Sequence, residues 1–427
     1  MSPLWQGGAR ALYATVLRVA TPLYLLRLWR RGAREPGYRQ ALGERLGHYL
    51  GDAPAPGLLW LHAVSLGETR AAQPLIDALR ELQPGLRLLL THGTATGRQA
   101  GAALLRPGDL QAWLPYDTPG AARRFLRRFR PSVGVLMETE LWPSLMHEAE
   151  LARVPVVLAN ARLSERSARK GRRLAALLHP AAARLALALA QTAPDAERLR
   201  EAGTPQVLIS GNLKFDMTPP LPQLSLGRDW RADIRRAVVM AACTREGEEA
   251  PLLAAWRALP APRPLLLLVP RHPQRFDEVA ALVKGQGLAL SRRSAWGARP
   301  PAADADVWLG DSMGEMALYY ACADVALLGG SFAPLGGQNL IEAAACGCPL
   351  VMGPHTFNFA QAAEQSLAAG ASMRVADVRA GVAAAVQLAG DPQRGAWVQR
   401  ALAFAAEHRG AARQMAARIL ALAAPTR

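Results

Sequence analysis

Residues 58–69 read LLWLHAVSLGET. The apolar run from Leu58 to Val64 has the length of a strand buried on both faces. Ser65, Leu66 and Gly67 then turn the chain, and Glu68 stands where a helix begins. A strand that runs directly into a helix is the first half of a βαβ unit, so this stretch sets the fold class as α/β. Two readings of the acid are open. It can complement the positive end of the helix dipole, or it can serve as a general base at the mouth of the strand.

The same alternation continues outward. Further strands are expected at 86–91, 133–137, 154–159, 185–190 and 206–210. Helices fit at 69–82, 96–105, 118–129, 141–152, 166–178 and 194–202. Residues 216–228, DMTPPLPQLSLGR, break the period with Pro219, Pro220 and Pro222, and read as a linker. Alternation restarts with strands at 236–242, 264–269, 287–291, 306–309, 324–329 and 349–352, and residues 394–424 are helical. The expected organisation is an N-terminal helix (1–35), a first Rossmann-like domain (36–215), a linker (216–229) and a second Rossmann-like domain with C-terminal helices (230–427). Two doubly wound domains place ligands at the carboxyl ends of their strands, in a central cleft.

The chain has 427 residues, with 51% hydrophobic residues, enough for two cores. Its net charge is +16, and Lys170, Lys214 and Lys284 are the only lysines among 50 basic residues. A basic surface favours phosphates, whether on nucleic acid, lipid or nucleotide. No nucleic-acid motif accompanies the charge, so nucleic acid is not an expected partner. The four cysteines have neither disulfide nor zinc spacing, which fits a reducing, cytoplasmic setting. Residues 11–28, ALYATVLRVATPLYLLRL, are apolar but carry Arg18 and Arg27, and Arg30, Arg31 and Arg34 follow. This pattern suits an amphipathic or signal-anchor helix on the cytoplasmic side of a membrane better than a cleaved leader. A first helix packed on its domain is the competing reading.

Polar clusters follow nearly every strand. They include Ser65–Glu68, Glu138–Pro143, Gly211–Asp216, Cys243–Glu249, Pro270–Arg275, Gly310–Glu315 and Gly329–Phe332. In the second half, Gly329, Gly330, Gly336 and Gly337 allow close backbone approach to an anion. Arg271 is suited to pairing with a phosphate. Asn339 and Glu342 are suited to base or ribose hydroxyls. No G-x-x-x-x-G-K-[ST] loop is present, nor a G-x-G-x-x-G fingerprint after the first strand. His62, His92 and His272 read as structural or positioning residues.

Taken in order, residues 62–68 (HAVSLGE), 138–143 (ETELWP), 211–216 (GNLKFD), 270–273 (PRHP), 310–315 (GDSMGE), 336–339 (GGQN) and 352–358 (MGPHTFN) resemble the Kdo transferases. These move 3-deoxy-D-manno-oct-2-ulosonic acid (Kdo) from its CMP-activated form to a lipid A precursor. The resemblance runs from about residue 30 to 370, and departs at Cys243-Thr-Arg245, where the family more often has a Ser/Thr-rich turn. It implies a GT-B fold, an inverting transfer and no metal or other cofactor. It places Glu68 as general base, with Glu138 and Lys214 stabilising the transition state; Glu140 competes for the role given to Glu138. It places CMP contacts on Pro270, Arg271, Met313, Gly314, Glu315, Asn339, Leu340, Ile341 and Glu342. The implied partners are CMP-Kdo, the lipid A precursor (lipid IVA) and the anionic inner face of the inner membrane. The alternative is another GT-B enzyme, a UDP-sugar transferase or epimerase.

Overall fold

The computed structural model describes residues 3–297 and 304–423. Residues 1–2 of the expected N-terminal helix and residue 424 of the expected C-terminal one lie outside the described residues. The chain divides into two compact units, one of residues up to Asp216 together with those from Gly410, the other Met217–Arg409.

The first unit is a parallel sheet of strands β1 (Leu59–His62), β2 (Leu88–His92), β3 (Leu110–Trp113), β4 (Val133–Met137), β5 (Val156–Ala161), β6 (Leu187–Ala190) and β7 (Val207–Ile209). Their spatial order is β3-β2-β1-β4-β5-β6-β7. Helices cover both faces, which is why β1, β2, β4, β5 and β6 are buried along their whole length. Close packing fixes the register. Gly134 of β4 lies under the Trp60 ring, where an added Cβ would come within 2.6 Å of it. The indole of Trp60 in turn donates to Thr91 Oγ1 at 2.8 Å. The strand order reverses between β1 and β4, so the loops leaving those two strands diverge and open a crevice at their carboxyl ends.

The second unit is built likewise from β8 (Val238–Thr244), β9 (Leu265–Pro270), β10 (Leu290–Arg292), β11 (Val307–Leu309), β12 (Val325–Leu328), β13 (Leu350–Met352) and β14 (Ser372–Arg374). The order is β10-β11-β9-β8-β12-β13-β14, all parallel, with its switch point between β8 and β12.

Three expectations are corrected. Residues 216–229 are not a linker: Leu221–Asp233 is an α-helix of the second unit. Pro220 is its N-cap and Pro222 lies in its first turn, where a missing N–H costs nothing. The C-terminal segment does not belong wholly to the second domain. Arg394–Glu407 stays there, but Ala411–Ala423 packs on the first unit's helix Leu66–Leu82. Its buried residues Ala412, Met415, Ala416 and Ile419 form one helical face. The Asp216 carboxylate fixes its start, accepting from Gly410 N at 2.5 Å and Ala412 N at 2.7 Å. Finally, the edge strands β3 and β14 were not expected.

Helix Pro3–Arg31 packs against Ala175–Ala182 and Pro143–Leu151 of the first unit. Its segment Gly7–Arg31 is long and apolar enough to cross a membrane by length and composition. Leu12, Val16, Val19, Leu23 and Leu26 form an exposed apolar stripe at helical spacing.

Candidate active site

At the switch point of the first unit, Ser65 caps helix Leu66–Leu82 and Glu68 sits three residues later. The Glu68 N–H donates to Ser65 Oγ at 3.3 Å, and that hydroxyl donates back to Glu68 Oε1 at 3.0 Å. Glu68 Oε2 accepts from Val64 N–H at 2.8 Å. The arrangement resembles a capping box, with the acid reaching one residue past the cap to Val64 N–H, and the acid is held in one orientation at the strand's end. Burial raises its pKa, the Val64 and Ser65 hydrogen bonds oppose the rise, and the charge of Glu138 adds to it. Capping and proton acceptance are compatible: the cap aims the carboxylate, and burial increases its basicity.

Glu138 leaves β4 with φ 59°, a left-handed backbone unusual outside glycine. Its N–H donates to Ala159 O at 2.9 Å, and its carbonyl accepts from Arg162 N at 3.2 Å. Both bonds run to the end of β5 and hold the strained residue there. Two residues on, burial pushes the Glu140 carboxyl up to about 7, with the charge of Glu68 next in importance. Three acids thus share one crevice, and one of them titrates near neutrality. Lys214 joins them from the loop after β7. Burial lowers its pKa, Glu138 draws it back up and Arg162 lowers it further.

Side-chain amides stitch that loop in place. Lys214 N donates to Asn212 Oδ1 at 3.0 Å, and Asn212 Nδ2 donates to Gln191 Oε1 at 2.9 Å. Gln191 Nε2 donates to Asn160 O at 2.9 Å, and Asn160 Oδ1 accepts from Leu213 N at 3.1 Å. Ends of β5, β6 and β7 thereby fix the lysine's position. His62 and His92 are buried, and burial holds them down at about 3 and about 4, so they are neutral structural residues near pH 7.

In the second unit the loops after β8 and β12 meet through a residue that sequence reading left without a role. Glu248 is buried and accepts four backbone N–H groups: Arg245 at 2.9 Å, Gly330 at 2.7 Å, Phe332 at 3.2 Å and Ala333 at 3.3 Å. It shapes the glycine loop. Gly329 lies against Cys243, where a Cβ would fall 2.3 Å from the cysteine carbonyl. Burial pushes the Cys243 thiol up to about 12, and the charges of Arg271 and Glu342 both reach it. Arg271 and Glu342, expected as donor contacts, thus converge beside the end of β8.

The remaining expected contacts differ in what they offer. Pro270 is buried at the end of β9 and Arg271 is exposed beside it. Asn339 caps Leu340–Ala345 by accepting from Ile341 N at 3.2 Å. Leu340 and Ile341 are buried, so only their backbones are available. Met313 is 59% exposed, and Gly314 has φ 82°. Glu315 is already engaged by Arg293, at 2.8 and 3.0 Å, and by the Ser312 hydroxyl at 2.5 Å. Burial acts to raise its pKa, but these bonds outweigh it and hold the pKa low.

The residues therefore fall into two groups: Glu68, Glu138, Glu140 and Lys214 in one unit, and Arg271, Glu342 and the 313–315 loop in the other. Asn160, Arg162 and Glu248 were missed as supports; Asn160 is a polar residue at the end of β5, and Arg162 and Glu248 follow strands in polar clusters, which is the signal that marks them.

Residues 40–217 match the family model described as 3-deoxy-D-manno-octulosonic-acid transferase (kdotransferase). A 3-deoxy-D-manno-octulosonic acid transferase of Bordetella pertussis is 50% identical over 95% of this chain and 97% of its own length. The chain belongs to the Kdo transferase family. Its relative in Haemophilus influenzae is 39% identical over 82% of this chain and 83% of that one. Among solved structures, a glycosyltransferase from Rickettsia africae has TM-score 0.59 at 11% identity, covering 87% of this chain and 100% of that one. That likeness concerns the fold alone, which is GT-B: two Rossmann-like units.

Proposed function

We propose that this Kdo transferase moves Kdo from CMP-Kdo to a lipid A precursor in a single inverting step. The acceptor hydroxyl oxygen bonds to the anomeric carbon of Kdo as the bond from that carbon to the CMP phosphate breaks. The bonding pair leaves with the phosphate, and the hydroxyl proton passes to Glu68. Glu138 and Lys214 stabilise charge around the reacting sugar, while Arg271 favours the departing nucleotide. The observation that carries this reading is the grouping of Glu68, Glu138 and Glu140 at one sheet's switch point, with Lys214 coupled to Glu138 from the loop after β7, in a chain of this family. Product analysis by mass spectrometry, with CMP-Kdo and a tetraacylated lipid A precursor, tests it. A Kdo-bearing glycolipid with release of CMP is expected. Transfer from UDP-sugars instead would favour the alternative donor class.

Arg271→Ala is expected to raise the KM for CMP-Kdo about 10-fold or more, because a charge-assisted phosphate contact contributes about 1.5–3 kcal/mol. An unchanged donor KM in a folded variant removes Arg271 from the donor site.

A lipid acceptor requires the first unit to reach a bilayer. Support comes from the exposed stripe on helix Pro3–Arg31, flanked by Arg18, Arg27, Arg30, Arg31 and Arg34. Each arginine near an anionic surface contributes about 1 kcal/mol. Removing residues 1–30 is therefore expected to shift the protein from the membrane to the soluble fraction. If the shortened chain stays as membrane-bound as the full one, other surfaces carry the attachment.

A further inference from the structure

The first unit holds a second feature that the transfer chemistry does not use: a mainly apolar cavity of about 480 Å³. Its floor is Leu158, Leu185 and Leu199, all nearly inaccessible to bulk solvent and part of the unit's core. Its roof is the helix pair Glu165–Arg172 and Ala175–Ala182, which contributes Leu174 and Leu178. A volume of this size is within the range of small-molecule pockets.

Three observations say what occupies it. Thr139 and Leu141 line the cavity, and they alternate with Glu138 and Glu140, so the cavity adjoins the acidic crevice. Arg162, Lys170 and Arg172 also line it, and all three are solvent-exposed. Glu201 is the one carboxylate among the lining residues, and Arg198 adds a further positive charge, so the rim is net cationic. A cationic rim around an apolar hole matches a molecule with anionic groups and a hydrocarbon tail. Finally, the roof helix Ala175–Ala182 is one of the helices against which the apolar N-terminal helix packs. The cavity and the lipid-facing stripe thus share an element.

We propose that this cavity receives an acyl chain of a phosphorylated glycolipid acceptor, with Arg162, Lys170 and Arg172 meeting the anionic groups of its head. The proposal rests on the Kdo transferase reading and deepens it. An acyl chain held here leaves the sugar head beside Glu138 and Glu140, and the tail serves as a measure of where the reacting hydroxyl lies.

The test uses the full-length enzyme and a series of disaccharide bisphosphate acceptors with long, short or no acyl chains. Wild type is expected to show a KM that falls as the chains lengthen, by up to about 4-fold for each methylene that becomes buried. Ala175→Trp and Ala202→Phe, at two different lining positions, fill the cavity. Each is expected to raise the KM for the long-chain acceptor at least 10-fold. Neither is expected to change the KM for CMP-Kdo or the rate with the deacylated acceptor. An unaltered chain-length dependence in either folded variant overturns the cavity assignment while leaving the transferase intact. A wild-type KM that ignores chain length overturns it without any variant. If wild type transfers Kdo to none of the acceptors, the functional reading itself fails, and the assignment with it.

Discussion

Glu68→Gln is expected to lower kcat by about 10²–10⁴-fold while leaving the fold and CMP-Kdo binding intact. The substitution keeps shape and removes basicity. A glutamine oxygen can still accept the Val64 N–H that Glu68 Oε2 accepts at 2.8 Å, and its amide can face the Ser65 hydroxyl. The cap therefore survives in large part, and the stability cost stays at a few tenths of a kcal/mol. Turnover does not survive, because an amide cannot take the acceptor's proton. Comparing kcat and Tm with wild type at saturating substrates separates the two roles; near-normal kcat would leave Glu68 as a cap only. A companion variant decides between neighbouring acids. Glu140, whose carboxyl is raised to about 7, feels the Glu68 charge. If Glu68 is the base, Glu140→Gln keeps turnover, because a carboxyl raised to about 7 is already mostly uncharged where Glu68 ionises. The acid limb of the pH–rate profile then stays close to its wild-type position. If Glu140 is the base, the same variant is inactive.

The second large effect concerns stability and nucleotide binding together. Glu248→Ala is expected to destabilise the second unit by at least about 3 kcal/mol, since each donor left buried without an acceptor costs about 1–3 kcal/mol. Four backbone N–H groups lose their acceptor at once, three of them in the loop after β12. Water can reach some of them when the loop loosens, which keeps the loss below the full sum. The loosened loop then no longer holds the glycine turn against the end of β8, where the charges of Arg271 and Glu342 reach Cys243, so CMP binding is expected to fall as well. Glu248→Gln keeps one acceptor oxygen but sets an amide N–H₂ against N–H donors, and an intermediate loss is expected. Chemical unfolding and calorimetric CMP titration of both variants measure this. Wild-type stability in Glu248→Ala would mean that the loop holds itself.

Much of this was legible in the sequence. Strands buried on both faces announce themselves as unbroken apolar runs, and β4 occupies the expected 133–137. The crevice acids were legible because they follow such runs directly. What escaped notice has physical reasons. Strands β3 and β14 lie at sheet edges, with partly solvated residues such as Gln111 and Arg374, so no apolar run marks them. The prolines at 219–222 were read as breakers, although proline at a helix's start is neutral. The return of Ala411–Ala423 to the first unit was invisible because an amphipathic helix states that it needs a partner, not which one. Glu248 escaped for a related reason: its four partners are backbone amides, which have no letter in the sequence.

That returning helix bears on how the protein is made. The first unit's apolar surface around Leu75, Leu79 and Leu213 belongs to the same core as Met415 and Ile419. During synthesis, the residues that cover it arrive only after the whole of Met217–Arg409. The intervening unit is contiguous in sequence, so it can fold as soon as it emerges. The first unit, although translated earlier, must wait with an uncovered apolar face. Completion of the two units is thus inverted in time relative to their order in the chain. That waiting face is a place where a chaperone would bind and where aggregation would start.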